Sequence, residues 1–344
     1  MRQVFITRTG GPEVLELREA PDPLPTSGAV RIRVKAAGVN FADIMARKGL
    51  YPDAPRLPAV VGYEVSGVVD AVGPGTSEDW LDKEVVALTR FGGYADTVLA
   101  PVEQVFAKPP RLTHAECAAI PVNYLTAWQL MAVMGAAAEG ETVLIHNAGG
   151  GVGLAAMDIG KRRGARLIGT ASAEKHKFLK SRGLDAAIDY TQTDWLPEVM
   201  RLTEGRGVEL ILDPLGGGHW RKSYKALRAT GRLGMFGASD AAASRLPWPL
   251  NLLSVAASMP WFHPLSLMSA NKAVFGVNLG HLWEEGAKVR AWGDTLLAGV
   301  EEGWIRPHVD RTFPLDAAGE AHAYIEAHAY IEARRNKGKV VLEA

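Results

Sequence analysis

The stretch that decides the fold runs from Thr142 to Arg163 and reads TVLIHNAGGGVGLAAMDIGKRR. Its first five residues, Thr142 to His146, have the pattern of a short buried strand. Asn147 and the glycine-rich run Ala148-Gly149-Gly150-Gly151-Val152-Gly153 follow, and Leu154 to Arg163 then reads as a helix. A strand thus delivers the chain to a tight turn, and a helix starts just beyond it. The first N–H groups of such a helix lack partners within it, and its dipole is positive at that end, so the turn is a seat for a phosphate. Gly150 lets the backbone approach a pyrophosphate, and Gly153 lets the helix pack closely on the strand. With Ala148 in first place the pattern is A-x-G-x-x-G, a variant of the dinucleotide fingerprint whose weight comes from its strand–turn–helix setting. Ala148, Gly150, Gly151, Val152 and Gly153 are therefore candidate cofactor-binding residues.

Downstream, Arg166 to Thr170, Ala187 to Tyr190, Glu209 to Asp213, Arg232 to Gly237 and Val274 to Leu279 are strand candidates, with a helix predicted over Glu174 to Arg182. Strands alternating with helices mean βαβ units, and right-handed crossovers make the result a doubly wound parallel sheet. Upstream, as far as about Ile120, short apolar runs such as Val30 to Ala36, Val65 to Val72 and Glu84 to Leu88 are divided by turn signals at Gly73-Pro74-Gly75 and Gly92-Gly93. Helical periodicity is scarce there, and this part reads as mostly β. Trp283 to Gly303 is helical in pattern, and Gly338 to Leu342 reads as a closing strand. Ala238 to Ala270 mixes Pro, Trp and Leu without a clear period, which leaves a lid, a subunit contact or an irregular connection open. Ala321 to Glu326 (AHAYIE) recurs at once as Ala327 to Glu332. Six residues turn a helix through about 600°, so the copies face different ways. A lengthened amphipathic helix with Tyr324, His328 and Ile331 on one face is expected, not a metal site from His322 and His328.

The chain has 344 residues, enough for about two domains. Its 38 Lys and Arg balance 38 Asp and Glu, which argues against a nucleic-acid binder. The single cysteine, Cys117, excludes an internal disulfide and a four-cysteine metal cage. The most apolar region, Leu246 to Leu279, is broken by prolines, His263 and Lys272, so no membrane-spanning segment is expected. The N-terminus lacks the apolar core of a signal peptide, so a cytoplasmic location is expected. A P-loop and a G-x-S-x-G elbow are both absent.

The strand after the glycine turn ends where an adenosine ribose sits in such folds, and an Asp or Glu there favours NAD. Here Gly169-Thr170 is followed by Ala171-Ser172-Ala173-Glu174-Lys175. Ser172 and Lys175 suit a 2′-phosphate, so NADP(H) is favoured over NAD(H); Glu174 keeps NAD open.

Gly38-Val39-Asn40-Phe41-Ala42-Asp43, Gly62-Tyr63-Glu64, Leu125-Thr126-Ala127, the glycine turn, Gly169 to Ser172, Asp213-Pro214-Leu215-Gly216-Gly217 and Gly338-Lys339-Val340-Val341 together resemble the medium-chain dehydrogenase/reductase superfamily over essentially the whole chain. The resemblance implies an α/β protein with a GroES-like, mostly β catalytic domain (residues 1–123 and 283–344) and a Rossmann dinucleotide domain (124–282), the cofactor lying in the cleft between them. Zinc members carry Cys-His in the first motif and Gly-His-Glu in the second, whereas this chain has Asn40-Phe41 and Gly62-Tyr63-Glu64. Neither Asn nor Phe is a good zinc ligand. The chain therefore resembles the zinc-independent quinone oxidoreductase and enoyl reductase branch, with VNYLTAW, GTASAEKH, DPLGG and ANKAVFGVNLG similar to vesicle amine transport protein-like members.

Without a metal to acidify an alcohol, the expected reaction is hydride delivery to an electron-poor acceptor: an enone, an enoyl thioester such as a short branched enoyl-CoA, or a quinone. Tyr51, eleven residues after Asn40, is the candidate proton donor by resemblance to enoyl thioester reductases, or else a pocket wall. Asn40 can bond the nicotinamide ribose or the substrate carbonyl, or simply hold a loop. Tyr63 and Asn123 are expected to line the substrate pocket, and Asp43 to be a local structural carboxylate. The resemblance puts Thr126, Thr170, Tyr190, Phe236, Gly237, Phe275, Val277 and Lys339 around the cofactor. His146 reads as a packed core histidine. Arg47, Lys48 and Arg56 would serve a CoA substrate, with a solvated loop the favoured alternative. A homodimer formed by edge pairing of Val274 to Leu279 is implied. A rival of another class is a non-catalytic protein that keeps the dinucleotide fold and binds a membrane or partner.

Overall fold

A computed structural model describes residues 1–239, 257–330 and 336–344. Residues 240–256 of the Ala238 to Ala270 stretch and the last two residues of the second AHAYIE copy, 331 and 332, therefore lie outside the described residues. In chain order, the elements before the glycine turn are β1 (Arg2–Ile6), β2 (Leu15–Glu19), β3 (Ala29–Val39), α1 (Phe41–Arg47), β4 (Ala59–Val60), β5 (Glu64–Val72), β6 (Glu84–Leu88), β7 (Thr97–Pro101), β8 (Val105–Ala107), α2 (His114–Cys117) and α3 (Pro121–Trp128). Then come β9 (Thr142–Ile145), α4 (Gly151–Arg162), β10 (Arg166–Thr170), α5 (Ala173–Ser181), β11 (Ala186–Ile188), α6 (Trp195–Leu202), β12 (Val208–Asp213), α7 (Gly217–Ala226), β13 (Leu227–Met235), α8 (Pro264–Ala270) and β14 (Ala273–Gly276). The chain ends with α9 (Gly286–Glu301), β15 (Val309–Pro314), α10 (Ala318–Tyr330) and β16 (Lys339–Glu343).

These elements form two compact units. One comprises Met1–Leu125, Leu279–Ala327 and Asn336–Ala344; the other is built on Thr126–Asn278. The first is β-rich. A three-stranded sheet, β2-β1-β4, accompanies a larger one in the order β15-β16-β3-β5-β6-β8, with β7 also paired to β3. Alternating apolar residues of β3, Val30, Ile32 and Val34, are buried with Val65 and Val69 of β5 and Val340 and Leu342 of β16. Half-buried antiparallel strands make this one-faced pattern. The last strand closes the sheet because β16 runs antiparallel to β3, with Val340 opposite Val39 and Val341 opposite Gly38.

In the second unit every strand pairing is parallel, in the order β11-β10-β9-β12-β13-β14. This is the doubly wound arrangement read from the sequence. Its strand order reverses between β9 and β12, the point where such sheets take ligands beyond the strand carboxyl ends. Val143, Leu144 and Ile145 of β9 are fully buried, as a central strand covered on both faces requires. Several boundaries differ from the sequence reading, among them β13, which runs from Leu227 to Met235. The last strand of this sheet stops at Gly276, because Leu279–His281 forms a 3₁₀ turn. The Trp283 to Gly303 helix begins with a separate 3₁₀ turn, Trp283–Glu285. β11 ends at Ile188, and Tyr190 stands half-buried in the turn after it.

Candidate active site and nucleotide site

The β-rich unit gathers three strand ends at one place. The register that sets Val340 against Val39 carries Lys339 opposite Asn40, and the pairing of Ala37 with Val65 carries Gly38 opposite Glu64. Asn40, Glu64 and Lys339 are all buried there. The Lys339 ammonium is paired with Glu64 Oε1 and donates to Asn40 Oδ1 at 2.6 Å. Asn40 Nδ2 donates to Glu64 Oε1 at 3.0 Å, and the Val122 N–H donates to Glu64 Oε2 at 2.7 Å. Gly38 makes the cluster possible. A Cβ there would stand 2.5 Å from both Ala118 O and Glu64 Oε1 and 2.7 Å from Lys339 Cε. Glu64 and Lys339 thus form a desolvated ion pair with the remaining lone pairs occupied, the condition under which such a pair is tolerated in a core.

Asn40 is also the N-cap of α1, in a capping box with Asp43. Asp43 is fully buried. It accepts from the N–H groups of Asn40 (2.8 Å) and Gly62 (3.1 Å) and from the Tyr94 hydroxyl (3.1 Å). Burial nevertheless pushes its carboxyl up to about 7, against the pull of those bonds and of Lys339. Asp43 is therefore structural, as the sequence suggested. Its partners Tyr94 and His322 were not anticipated, since nothing in sequence spacing joins residues 228 positions apart.

Tyr51 lies past the C-terminal end of α1, half-buried, with its ring 6.3 Å edge-on from that of Tyr63. Tyr63 in turn lies 5.3 Å from Phe91, so the three rings form an aromatic wall. The Tyr63 hydroxyl is buried, and burial, reinforced by the Asp43 charge, holds its phenol far above the ordinary range. Tyr63 is thus a neutral wall residue. Asn123 is buried and donates to Ala119 O at 3.1 Å. Arg47 corrects the expectation of a solvated loop or a CoA-facing cation. Its side chain is fully buried and paired with Glu326, and Lys48 Nζ lies 2.6 Å from the same carboxylate. Arg56 is exposed. Cys117 is buried, and burial pushes its thiol up to about 12, so it is no nucleophile.

In the second unit the glycine turn does what its spacing requires. α4 starts at Gly151 behind the N-cap Gly150, with no side chain occupying its leading N–H groups. A Cβ at Gly153 would lie 2.5 Å from Asn147 O and 2.6 Å from Ala148 O. Ser172 is the N-cap of α5, yet its side chain makes no cap bond, and its hydroxyl is buried without a partner. Lys175 is buried one turn later, and its side chain lies over Gly149, where a Cβ would meet Lys175 Cδ at 2.7 Å and Nζ at 3.3 Å. A buried hydroxyl without a partner costs about 1–3 kcal/mol, which a ligand at this spot would recover. Lys175 thus lies against the glycine turn, with Ser172 at the start of the same helix, α5.

The other predicted cofactor residues of this unit are dispersed, Thr126 on α3 and the rest in or next to the strands of this sheet. Thr126 is buried. Thr170 uses its hydroxyl on His146 Nδ1 at 3.1 Å, so that oxygen is engaged within the protein. Phe236 and Gly237 follow β13, where the Phe236 N–H donates to Asp213 O at 3.3 Å. The Phe275 ring fills the space a Cβ on Gly234 would need, which makes it a packing residue of the sheet. The Val277 N–H donates to Met235 O at 2.9 Å.

His146 is a core histidine, as read. It is buried against Trp195 (4.6 Å) and His219 (4.5 Å), and burial lowers its imidazole to about 3. Its ligand atom, with those of Asp213 and His219, falls in a set within 4.8 Å of one another. Hydrogen bonds account for this cluster. Asp213 Oδ2 accepts from Ser223 at 2.7 Å and lies 2.6 Å from His219 Nδ1, while Oδ1 accepts from the Leu215 N–H. Burial raises the Asp213 carboxyl, but the His219 bond and the neighbouring imidazoles outweigh it and hold the group below the ordinary range.

Two family profiles match this chain: an alcohol dehydrogenase GroES-like domain over residues 26–110 and a zinc-binding dehydrogenase over 182–342. The human synaptic vesicle membrane protein VAT-1 homolog is 36% identical over 351 residues, covering 99% of this chain and 86% of that protein. The chain belongs to the medium-chain dehydrogenase/reductase superfamily. Among solved members of this superfamily, the Escherichia coli quinone oxidoreductase complexed with NADPH superposes with a TM-score of 0.87 at 26% identity, covering all of both chains. The CurK enoyl reductase superposes with a TM-score of 0.84 at 25% identity, covering 99% of this chain and 98% of its own. Like these superfamily members, the chain is an oxidoreductase.

Proposed function

We propose that this protein is a zinc-independent reductase that uses NADP(H) to reduce an activated double bond, in an enone or an enoyl thioester. The observation that carries this reading is the Lys339–Glu64–Asn40 cluster. A zinc ion wants thiolate, imidazole or free carboxylate. The motif positions that hold zinc ligands in other members offer here an amide and a buried phenol, and the adjacent carboxylate is committed to an ammonium and a backbone N–H. These residues do not fit a zinc ion.

They do fit a nicotinamide nucleotide in the second unit. The uncapped N-terminus of α4 suits a pyrophosphate, and the partnerless Ser172 hydroxyl with buried Lys175 suits an adenosine 2′-phosphate. The NADPH in the superposed Escherichia coli oxidoreductase supports the same choice. When bound, the reduced nucleotide supplies a hydride. The chain's own contribution is to hold, orient and protonate. Asn40, fixed by Lys339 and Glu64, orients the ribose or the acceptor carbonyl. Tyr51 delivers a phenolic proton to the acceptor, and Tyr63 and Phe91 form a neutral apolar wall beside it.

Quinone reduction is the second reading, favoured by the quinone oxidoreductase relative. β14 is the outer strand of the described six-stranded sheet, and its free edge supports pairing with a second copy of the chain. No helix of the described residues is long and apolar enough to cross a membrane. The test is an NADPH and NADH oxidation screen with quinones, enones and enoyl-CoAs, run on wild type and Tyr51→Phe. Loss of 10²-fold or more confined to enone and enoyl substrates supports the proton-donor role. Equal rates in both proteins remove it, and no oxidation with any acceptor removes the reductase reading.

A further inference from the structure

The first AHAYIE copy holds both ends of the segment that carries the candidate catalytic residues. His322 and Glu326 are four residues apart on α10, hence on one face of the helix. His322 Nε2 lies 3.0 Å from the Tyr94 hydroxyl, which donates to Asp43 Oδ2. Asp43 in turn receives the N–H groups of Asn40 and Gly62. At the other end of α1, Glu326 pairs with Arg47 and Lys48, and Arg47 Nη1 donates to Gly10 O at 3.0 Å. Tyr51 follows four residues after Arg47, and its segment is tied to α1 by the bond from the Leu50 N–H to Met45 O at 2.9 Å.

With Asp43 ionised, the proton positions along this chain follow from its chemistry. The Tyr94 hydroxyl gives its hydrogen to the carboxylate, so its oxygen accepts from His322 Nε2–H. A neutral imidazole then carries no proton on Nδ1, which is buried and without a partner. Burial, with the Arg47 charge adding to it, lowers His322 to about 3, in keeping with that neutral form. The groups facing His322 are Tyr94, Asp43 and Arg47; all three are fully buried.

We infer that α10 is a positioning strut for the reduction: His322 acting through Tyr94 and Asp43 sets Asn40 and the Gly62 loop, while Glu326 acting through Arg47 and Lys48 sets the run into Tyr51. His322, Tyr94, Asp43 and Glu326 are positioning residues, and the inference rests on the reading of Asn40 and Tyr51 given above.

The experiment pairs amide hydrogen exchange with steady-state kinetics on the full chain. Tyr94→Phe keeps the ring and deletes the hydroxyl. It is expected to speed exchange at the Asn40 and Gly62 amides about tenfold or more, with β9 and β10 amides unchanged, and to lower kcat at least fivefold with KM for NADPH within twofold. His322→Gln, which keeps a donor at the Nε2 position, should stay near wild type, and His322→Leu should match Tyr94→Phe. If Tyr94→Phe does not fold, the two His322 variants make the same comparison. Unchanged exchange at Asn40 and Gly62 in Tyr94→Phe or His322→Leu would overturn the strut, as would faster exchange with kcat intact. If wild type oxidises no NADPH, the reductase reading fails, and exchange alone still decides whether α10 holds these amides.

Discussion

Replacing Lys339 by Met removes the ammonium and keeps most of the side-chain volume. The side chains of Glu64 and Lys339 are 0% and 3% exposed, so water cannot take the place of the lost charge. Glu64 keeps two donors, Asn40 Nδ2 and the Val122 N–H, but its negative charge stays in the core without a counter-charge. Breaking a buried pair from one side costs about 3–5 kcal/mol. Native-state hydrogen exchange at the β3 amides reads the β-rich unit directly, and its protection should fall by roughly two to four orders of magnitude. Glu64→Gln leaves the mirror-image defect, an ammonium with only amide oxygens, and should cost a similar amount. The double variant removes both charges. It should be less destabilised than the two single losses added together, by about 2 kcal/mol or more, because contacting residues couple. Additive losses, or a Lys339→Met cost below about 1 kcal/mol, would refute the claim that this pair is desolvated and mutually dependent.

Asp43→Asn tests the buried carboxyl. Its folded pKa of about 7 lies above the ordinary 3.8, so its contribution is complete below about pH 4 and is lost as pH rises through 7. The stability of wild type relative to Asp43→Asn should therefore shrink between pH 4 and pH 8, by up to about 4 kcal/mol in urea melts, and a pH-independent difference would contradict the assignment. Ser172→Ala and Lys175→Met should each raise KM for NADPH about 10-fold or more and leave KM for NADH within about twofold; equal effects on both nucleotides would show that neither side chain reads the 2′-phosphate. Gly38→Ala should cost about 1–3 kcal/mol, measured by denaturant midpoint, because the added methyl meets a carbonyl and the Glu64 carboxylate at 2.5 Å.

Much of this molecule is legible in the sequence because its signals are local. The glycine turn, the strand before it and the helix after it occupy one continuous stretch, and the parallel order follows from alternating periods alone. Ser172 and Lys175 could be singled out because they follow β10 closely, three residues apart in one helix start. What the sequence hides is contact between distant segments. Glu64 stands in the motif Gly62-Tyr63-Glu64 beside the residue that replaces a metal ligand, and only the strand register reveals that its partner is Lys339, 275 positions on. Arg47 reads as a surface cation because such charges usually sit in water; its carboxylate lies on α10.

These two buried ion pairs answer one physical problem. A β-rich unit that must present an amide and a phenol at fixed positions cannot rely on apolar packing alone, since packing tolerates small slides that a hydrogen-bonding geometry does not. Lys339–Glu64 ties Asn40 to the last strand, and Arg47–Glu326 ties the end of α1 to α10. Both tethers reach back from the C-terminal sixth of the chain to its first 65 residues. The site therefore forms only after the closing segment has docked, and each pair stabilises little by itself, since its attraction is largely offset by desolvation. What the pairs supply is uniqueness: a slipped register of β16 would leave two opposite charges buried and unpartnered, each costing several kcal/mol. On this argument, conservative swaps that preserve charge but not reach, such as Glu64→Asp, should loosen the register of β16 before they unfold the unit. Exchange at the Val340 and Val341 amides, compared with those of β5, would detect that order of events, and simultaneous loss in both strands would count against it.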